Sequence, residues 1–247
     1  MYNLIPFTAD SILINGLGRY EGGPKSPLSV ISVEFGKRYR FRLVGTSCDA
    51  WLNFTIDGHA MTIIETDGIE TVPVTVDALP ILAGQRYSVI VTANQTVDNY
   101  WIRAFPNHGP QTFDGGLNSA ILRYAGAPIQ EPTTQQGPSV LPFDENLLSP
   151  LLDAGAPGIP EPGKADVNIN FITGSTLNGL YTMDGVSFIP PSFPVLLQIL
   201  SGAGHPSQLL PGGSVYELPY NKTIEISIPA TDLDRIKGAL GAPVSRF

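Results

Sequence analysis

The chain has 247 residues, of which 43% are hydrophobic and only 15% charged, a balance that supports a folded core and excludes a disordered polyelectrolyte. A formal net charge of −8 repels phosphate backbones, so no nucleic-acid groove is expected. Glycine (26) and proline (23) are both abundant, which points to many turns and an all-β chain.

Taken in chain order, Met1-Tyr2-Asn3-Leu4 has neither the basic start nor the apolar stretch of a signal peptide. No apolar run is long enough to span a membrane, and no membrane association is expected. Residues 28–34 alternate with β-branched side chains and end at Gly36. Residues 39–43 alternate polar and apolar, the pattern of a strand with one wet face. Strands are expected at 51–56 and 61–65, on either side of Asp57-Gly58, a strong hairpin turn signal. Further strands are expected at 71–76, 87–93, 100–104 and 120–124. Many short strands at this spacing predict an antiparallel β-sandwich.

After Tyr124 the composition changes, with eight prolines between Ala127 and Lys164. Proline removes ladder donors, so this stretch reads as a long ordered linker between domains, with a short helix over 144–152. Strands are expected again at 166–172, 179–183, 195–199 and 223–228, punctuated by Pro190-Pro191 and Pro211-Gly212-Gly213. They are too few to close a second sandwich. Residues 232–247 show no strand pattern; a helical turn before Gly238 is the expectation there.

The residues that could carry chemistry are sparse. His59, His108 and His205 are isolated, with no His-x-His pair and no helical i, i+4 pair, and Cys48 is the single cysteine. Zinc and copper sites need several nitrogen or sulfur donors converging at bonding distance, and this spacing offers no such convergence. No nucleophile elbow, phosphate loop or dinucleotide fingerprint occurs. Asn53-Phe54-Thr55, Asn94-Gln95-Thr96 and Asn221-Lys222-Thr223 are glycosylation sequons that lean toward secretion, and an odd cysteine in a secreted chain suggests a partner elsewhere. A small buried free cysteine is the alternative.

Longer strings carry a more specific signal. Leu13-Ile14-Asn15-Gly16-Leu17-Gly18-Arg19-Tyr20 resembles the entry to the second domain of basidiomycete laccases. Gly36-Lys37-Arg38-Tyr39-Arg40-Phe41-Arg42-Leu43-Val44 with Ser47-Cys48-Asp49 is similar to the same family, as are Ile56-Asp57-Gly58-His59 and Ala83-Gly84-Gln85-Arg86-Tyr87-Ser88. So are Asp98-Asn99-Tyr100-Trp101-Ile102-Arg103-Ala104 and Asn118-Ser119-Ala120-Ile121-Leu122-Arg123-Tyr124. Downstream, Pro194-Val195-Leu196-Leu197-Gln198-Ile199 and Leu209-Leu210-Pro211 resemble the opening of the third domain. The collinear match spans nearly the whole chain, roughly 5–231.

The resemblance implies an all-β fold: a cupredoxin-like Greek-key sandwich over 1–126, a Pro/Gly-rich interdomain linker over 127–164, an incomplete second cupredoxin-like unit over 165–231 and a divergent tail over 232–247. It implies a secreted, copper-dependent oxidase that takes single electrons from phenols or aromatic amines and reduces dioxygen to water. The copper ligands of such an enzyme lie in segments of the first and third domains that this chain does not match, so no copper is expected on this chain and it is expected to be inactive alone. Pocket-rim residues do map here: Asp49 as the acid that meets the phenol or amine, Asn107 and His108 at an Asn-aromatic position, Leu82 where an aromatic is common, and Tyr181 (or Leu180) at another pocket aromatic. Cys48 falls where the family forms a disulfide to the first domain. Two alternatives stand beside this: a non-enzymatic sandwich that binds aromatics weakly through Asp49, or a truncated gene-model or splice product without function of its own. Poor solubility of the isolated chain is expected from uncovered interdomain apolar surface.

Overall fold

The computed structural model describes residues 10–47, 51–107, 109, 111–152, 155 and 157–228. Two units are distinguished: Ile5–Ala154, and a second built mainly from Gly155–Phe247.

The first unit is a two-sheet sandwich. One sheet has five strands in the order β1 (Val30–Val33), β9 (Ser119–Tyr124), β8 (Asn99–Pro106), β3 (Leu52–Ile56), β6 (Ala78–Ile81). The other has four, β2 (Arg38–Val44), β7 (Arg86–Thr92), β4 (Met61–Thr66), β5 (Ile69–Val76). Strict alternation in β2, with Tyr39, Phe41 and Leu43 turned inward between exposed arginines, gives this sheet one dry face. The inward faces of both sheets merge into one core, in which Met61, Ile63 and Val89 from one sheet and Leu79, Ile102 and Leu122 from the other have no exposed surface. Burying side chains of this size stabilises the fold by about 1.5–3 kcal/mol each.

The structure corrects several expectations. The Asp57-Gly58 turn forms, with an Ile56–His59 bridge, but β3 and β4 leave it into different sheets. A two-residue hairpin of the favoured type needs φ > 0 at both central positions, and of this pair only Gly58 has it (φ +71°). The true hairpin lies ten residues on, at Asp67-Gly68, with φ of +48° and +90° and Thr66 opposite Ile69. The sandwich is also not wholly antiparallel, because β1 pairs with β9 in parallel. Strand β6 escaped the sequence reading because of Pro80, and its edge position explains why a residue without an N–H is tolerated there.

Residues 127–152, expected as linker, are bonded to the first unit. Asn99 Nδ2 donates to the Pro128 carbonyl (2.9 Å), the Asp77 carboxylate accepts from Ser139 Oγ and the Val140 and Leu141 amides (2.6–2.9 Å), and Phe143 and Leu148 pack on the core. Pro150 then bridges to Thr71 on β5, while the Val72 and Leu151 amides bond Ser149 and Glu70 carbonyls. A stretch of the exposed edge of β5 is thereby paired. The helix expected over 144–152 is a single 3-10 turn, Glu145–Leu147, whose N-cap Asp144 accepts from the Asn146 amide. The prolines on either side leave no room for a longer one.

In the second unit β10 (Val167–Asn170) pairs in parallel with β13 (Ile224–Ser227), and β11 (Thr173–Ser175) pairs antiparallel with β12 (Tyr181–Met183). The strand expected at 195–199 is instead a helix, α1 (Val195–Leu200). Leu-Leu-Gln-Ile-Leu has no period-2 alternation, Pro194 opens the turn, and Gly202 (φ +80°) closes it, with the Gly202 and Ala203 amides reaching back to the Ile199 and Gln198 carbonyls. A second short helix, α2 (Pro206–Leu209), follows His205. No described residue of 155–228 is buried, so these elements form no closed core of their own. The expected turn in 232–247 lies outside the described residues.

Candidate functional site

Strand register gathers one set of candidate residues. Leu52, the first residue of β3, sits opposite Ile81 of β6 on one side and Pro106 of β8 on the other. One step beyond these pairs, Leu82 and Asn107 therefore flank Trp51 at the same end of the sheet. The Asn107 amide donates to the Trp51 carbonyl (3.1 Å), which ties the two segments together. Asn107 Oδ1 is buried and has no hydrogen-bond partner in the structure. Leu82 is 48% exposed, and its amide donates to Gln85 Oε1 (2.9 Å). Gly45 completes the turn: its amide donates to the Gln85 carbonyl and its carbonyl accepts from the Gly84 amide. A Cβ on Gly45 would run into the Leu82 carbonyl oxygen, so a side chain there would push Leu82 out of place.

Asp49, His108 and Cys48 lie outside the described residues, although Asp49 is two residues from Trp51 and His108 directly follows Asn107. Tyr181 and Leu180 belong to the second unit, at β12, and are largely exposed. Trp51 was not singled out from the sequence; at 39% exposure it is a large aromatic presented at the rim. The signal that could have found it is an indole placed immediately before a core strand. Of the sequons, Asn94 and Asn221 are exposed outside the strands, whereas Asn53 lies within β3.

Two histidines can be tested as metal donors. His59 is buried between Asp57 and Tyr124: a carbonyl only accepts, so Nδ1 carries the proton and donates to the Asp57 carbonyl (2.8 Å), while the Tyr124 hydroxyl donates to Nε2 (2.6 Å). Both nitrogens are thus committed. His205 is exposed in the second unit, with Nδ1 on Ser207 Oγ (2.9 Å). Among the described residues no three His, Cys, Asp or Glu side chains converge on one point, so the described donor set does not fit copper.

His59 gives the first unit a pH dependence. Burial holds its imidazole below the ordinary value of 6.5. The unfolded chain therefore takes up a proton near pH 6.5 that the folded protein refuses. Stability is full above that pH and is lost as pH falls from 6.5 toward the lower folded-state value. Denaturant midpoints measured from pH 7.5 to 4.5 should decline over this interval in the native chain, with a smaller decline in His59→Gln.

The turn taken for a hairpin holds the most polar part of the interior. Arg103 on β8 grips Asp57 through two bonds, Nε to Oδ1 (2.9 Å) and Nη2 to Oδ2 (2.7 Å), with both side chains almost wholly buried. Thr134 adds its hydroxyl to Asp57 Oδ2 (2.7 Å) and accepts from Arg103 Nη2 at its carbonyl (3.2 Å). Phe113 lies under the guanidinium at 4.6 Å. Three distant segments are pinned at one point, and the charge is neutralised locally. The arrangement anchors the frame that carries the rim; it presents no free acid or base.

The family model for multicopper oxidases matches residues 2–127. A laccase-2 of Pleurotus ostreatus is 58% identical over 224 residues, covering 90% of this chain and 42% of that protein. A laccase of Phlebia radiata is 56% identical over 245 residues, covering 96% of this chain and 45% of that protein. The chain spans less than half the length of these curated relatives. Among solved structures, the laccase from Botrytis aclada matches with a TM-score of 0.61 at 28% identity, over 82% of this chain and 39% of that one. Fet3p, a multicopper oxidase that functions in iron import, matches with a TM-score of 0.58 at 22% identity over 81% of this chain and 39% of that one, a likeness of fold. With its two-sheet sandwich and this degree of identity along most of its length, the chain belongs to the multicopper oxidase family.

Proposed function

We propose that these residues form the second cupredoxin domain and the opening of the third in a secreted laccase-type oxidase, and that the end of the sandwich around Trp51 is one wall of its phenol pocket. On this reading 1–126 is the domain proper, 127–164 the connecting segment, 165–231 the start of the next domain and 232–247 a divergent tail. The observation that supports it is the register that sets Leu82 and Asn107 on either side of Trp51, in a chain more than half identical to laccases. Copper, when bound in a complete enzyme, supplies the one-electron acceptor; its ligands are not found among these described residues.

What this chain supplies is positioning and proton handling. Removing an electron from a phenol makes its hydroxyl strongly acidic, so a carboxylate one hydrogen bond away lowers the barrier by taking the proton. Asp49 fills that role. Asn107 offers a buried carbonyl oxygen that can accept from the substrate hydroxyl or amine. Leu82 and His108 border the ring, and Tyr181 is a candidate pocket aromatic on family resemblance alone. Cys48 pairs with a cysteine outside this chain, and Asn53, Asn94 and Asn221 are the candidate glycan sites.

The purified 247-residue chain, treated with copper salts, is expected to show no blue absorption band and no phenol-dependent oxygen uptake. Grafted into a complete laccase, the same segment should support turnover, and Asp49→Asn within it should reduce kcat/KM for phenols by about 100-fold or more. Stoichiometric blue copper on the chain alone, or full activity of the Asp49→Asn graft, contradicts the proposal.

A further inference from the structure

A cleft of about 350 Å³ separates the outer face of β3 from residues 136–141. Its lining includes none of Trp51, Leu82 and Asn107, and it plays no part in the phenol reading. That volume is in the range of sites that hold one small organic molecule. Asn53 and Thr55 stand side by side on its floor, since residues two apart on a strand share a face at roughly 6.5–7 Å. Thr55 is 4% exposed, and its hydroxyl is buried without a hydrogen-bond partner. Buried polar atoms are almost always satisfied, so an orphaned hydroxyl opening on a cleft points to a ligand that completes it. The Asn53 amide lines the same cleft, and Gln136 lines it from the exposed covering segment.

The chemistry of the lining selects the occupant. Both carboxylates in the cleft are committed: Asp57 to Arg103 and Thr134, and Asp77 to Ser139 and two backbone amides. A cation therefore finds no free ligand, and an anion is repelled by the Asp77 carboxylate, whose donors are all neutral. What remains are neutral donors and acceptors beside small apolar surfaces at Ala78 and Pro138. That combination matches a ring with hydroxyls at its edge and C–H groups on its face.

We propose that this cleft holds a saccharide ring, hydrogen-bonded by the Asn53 amide, the Thr55 hydroxyl and Gln136. Asn53 and Thr55 are also the first and third residues of a sequon, so the ring is either a free sugar or the root of a glycan on Asn53 itself. Two arms of one experiment separate these sources. The full chain, isotope-labelled and made in bacteria, is titrated with N-acetylglucosamine. Saturable amide shifts at Asn53, Thr55 and Gln136 are expected, retained in Thr55→Ser and weakened by about tenfold in both Thr55→Val and the exposed variant Gln136→Ala. The full chain secreted from yeast is then mapped by mass spectrometry. A glycan on Asn53 that a glycosidase removes only after denaturation identifies the attached sugar as the occupant. No saturable shift in the first arm, as water alone would give, together with Asn53 bare or as readily deglycosylated as Asn94 in the second, overturns the proposal.

Discussion

Replacing Arg103 with methionine is expected to destabilise the first unit by about 3–5 kcal/mol, because the Asp57 carboxylate would remain buried with its countercharge removed. Asp57 would keep the Thr134 hydroxyl as its one side-chain donor, and Thr134 would lose its hold on the guanidinium. The stacking of Arg103 on Phe113 would be lost as well. Urea denaturation of the two variants side by side provides the check. Asp57→Asn paired with Arg103→Met should fall well short of the sum of the single changes, since removing both charges removes the penalty each leaves behind. Additive losses, or a change below about 1 kcal/mol for Arg103→Met, would show that the ion pair is solvated and not structural.

A chain ending at residue 126 is expected to aggregate or melt far below one ending at residue 152. The shorter chain loses Thr134 from the buried ion pair, three donors from Asp77, and the packing of Phe143 and Leu148 against the core. It also bares the segment of β5 that Pro150 and its neighbours cover, an open invitation to edge-to-edge pairing. Two partly buried apolar side chains and several hydrogen bonds amount to roughly 4–6 kcal/mol, a large share of the stability of a domain this size. Light scattering and thermal melts of the two truncations make the comparison. Equal melting temperatures would mean that the segment merely passes over the surface.

Both expectations concern residues that looked like punctuation. Asp57-Gly58 is a hairpin signal by composition, and ten residues on Asp67-Gly68 has the same dipeptide. One makes a hairpin and the other a corner between sheets, because Arg103 claims the Asp57 carboxylate from 46 positions away. No local rule sees that partner. In the proline-rich run, proline only removes donors; it says nothing about which carbonyls and side chains the run offers to its neighbours. At 195–199 the apolar residues suggest a strand, whereas Pro194 before them and Gly202 after them are the start and end signals of the helix that forms.

The candidate rim divides in the same way. The names Asp49, Leu82, Asn107, His108 and Tyr181 came from family resemblance, since each is unremarkable by residue type and spacing. Trp51 came only from the structure. The pairing of Leu52 with Ile81 and Pro106 brings together positions 29 and 54 residues beyond it, a distance that no periodicity encodes.

The amino-acid sequence by itself determined the class of the fold: period-2 alternation in stretches such as 38–44, glycines at left-handed turns and a scarcity of charge leave β-sheet as the state that buries the apolar side chains and satisfies the backbone. It also limits the imidazole and thiol donors to three isolated histidines and one cysteine, with no paired spacing to bring them together. The tertiary structure alone decided which strands pair, where residues 127–152 dock, and that Leu82, Trp51 and Asn107 share an edge while Asn53 and Thr55 open on a cleft. Those outcomes depend on long-range register and on buried partners such as Arg103 and Asp57, whose energies exist only once water has been excluded between segments far apart in the chain.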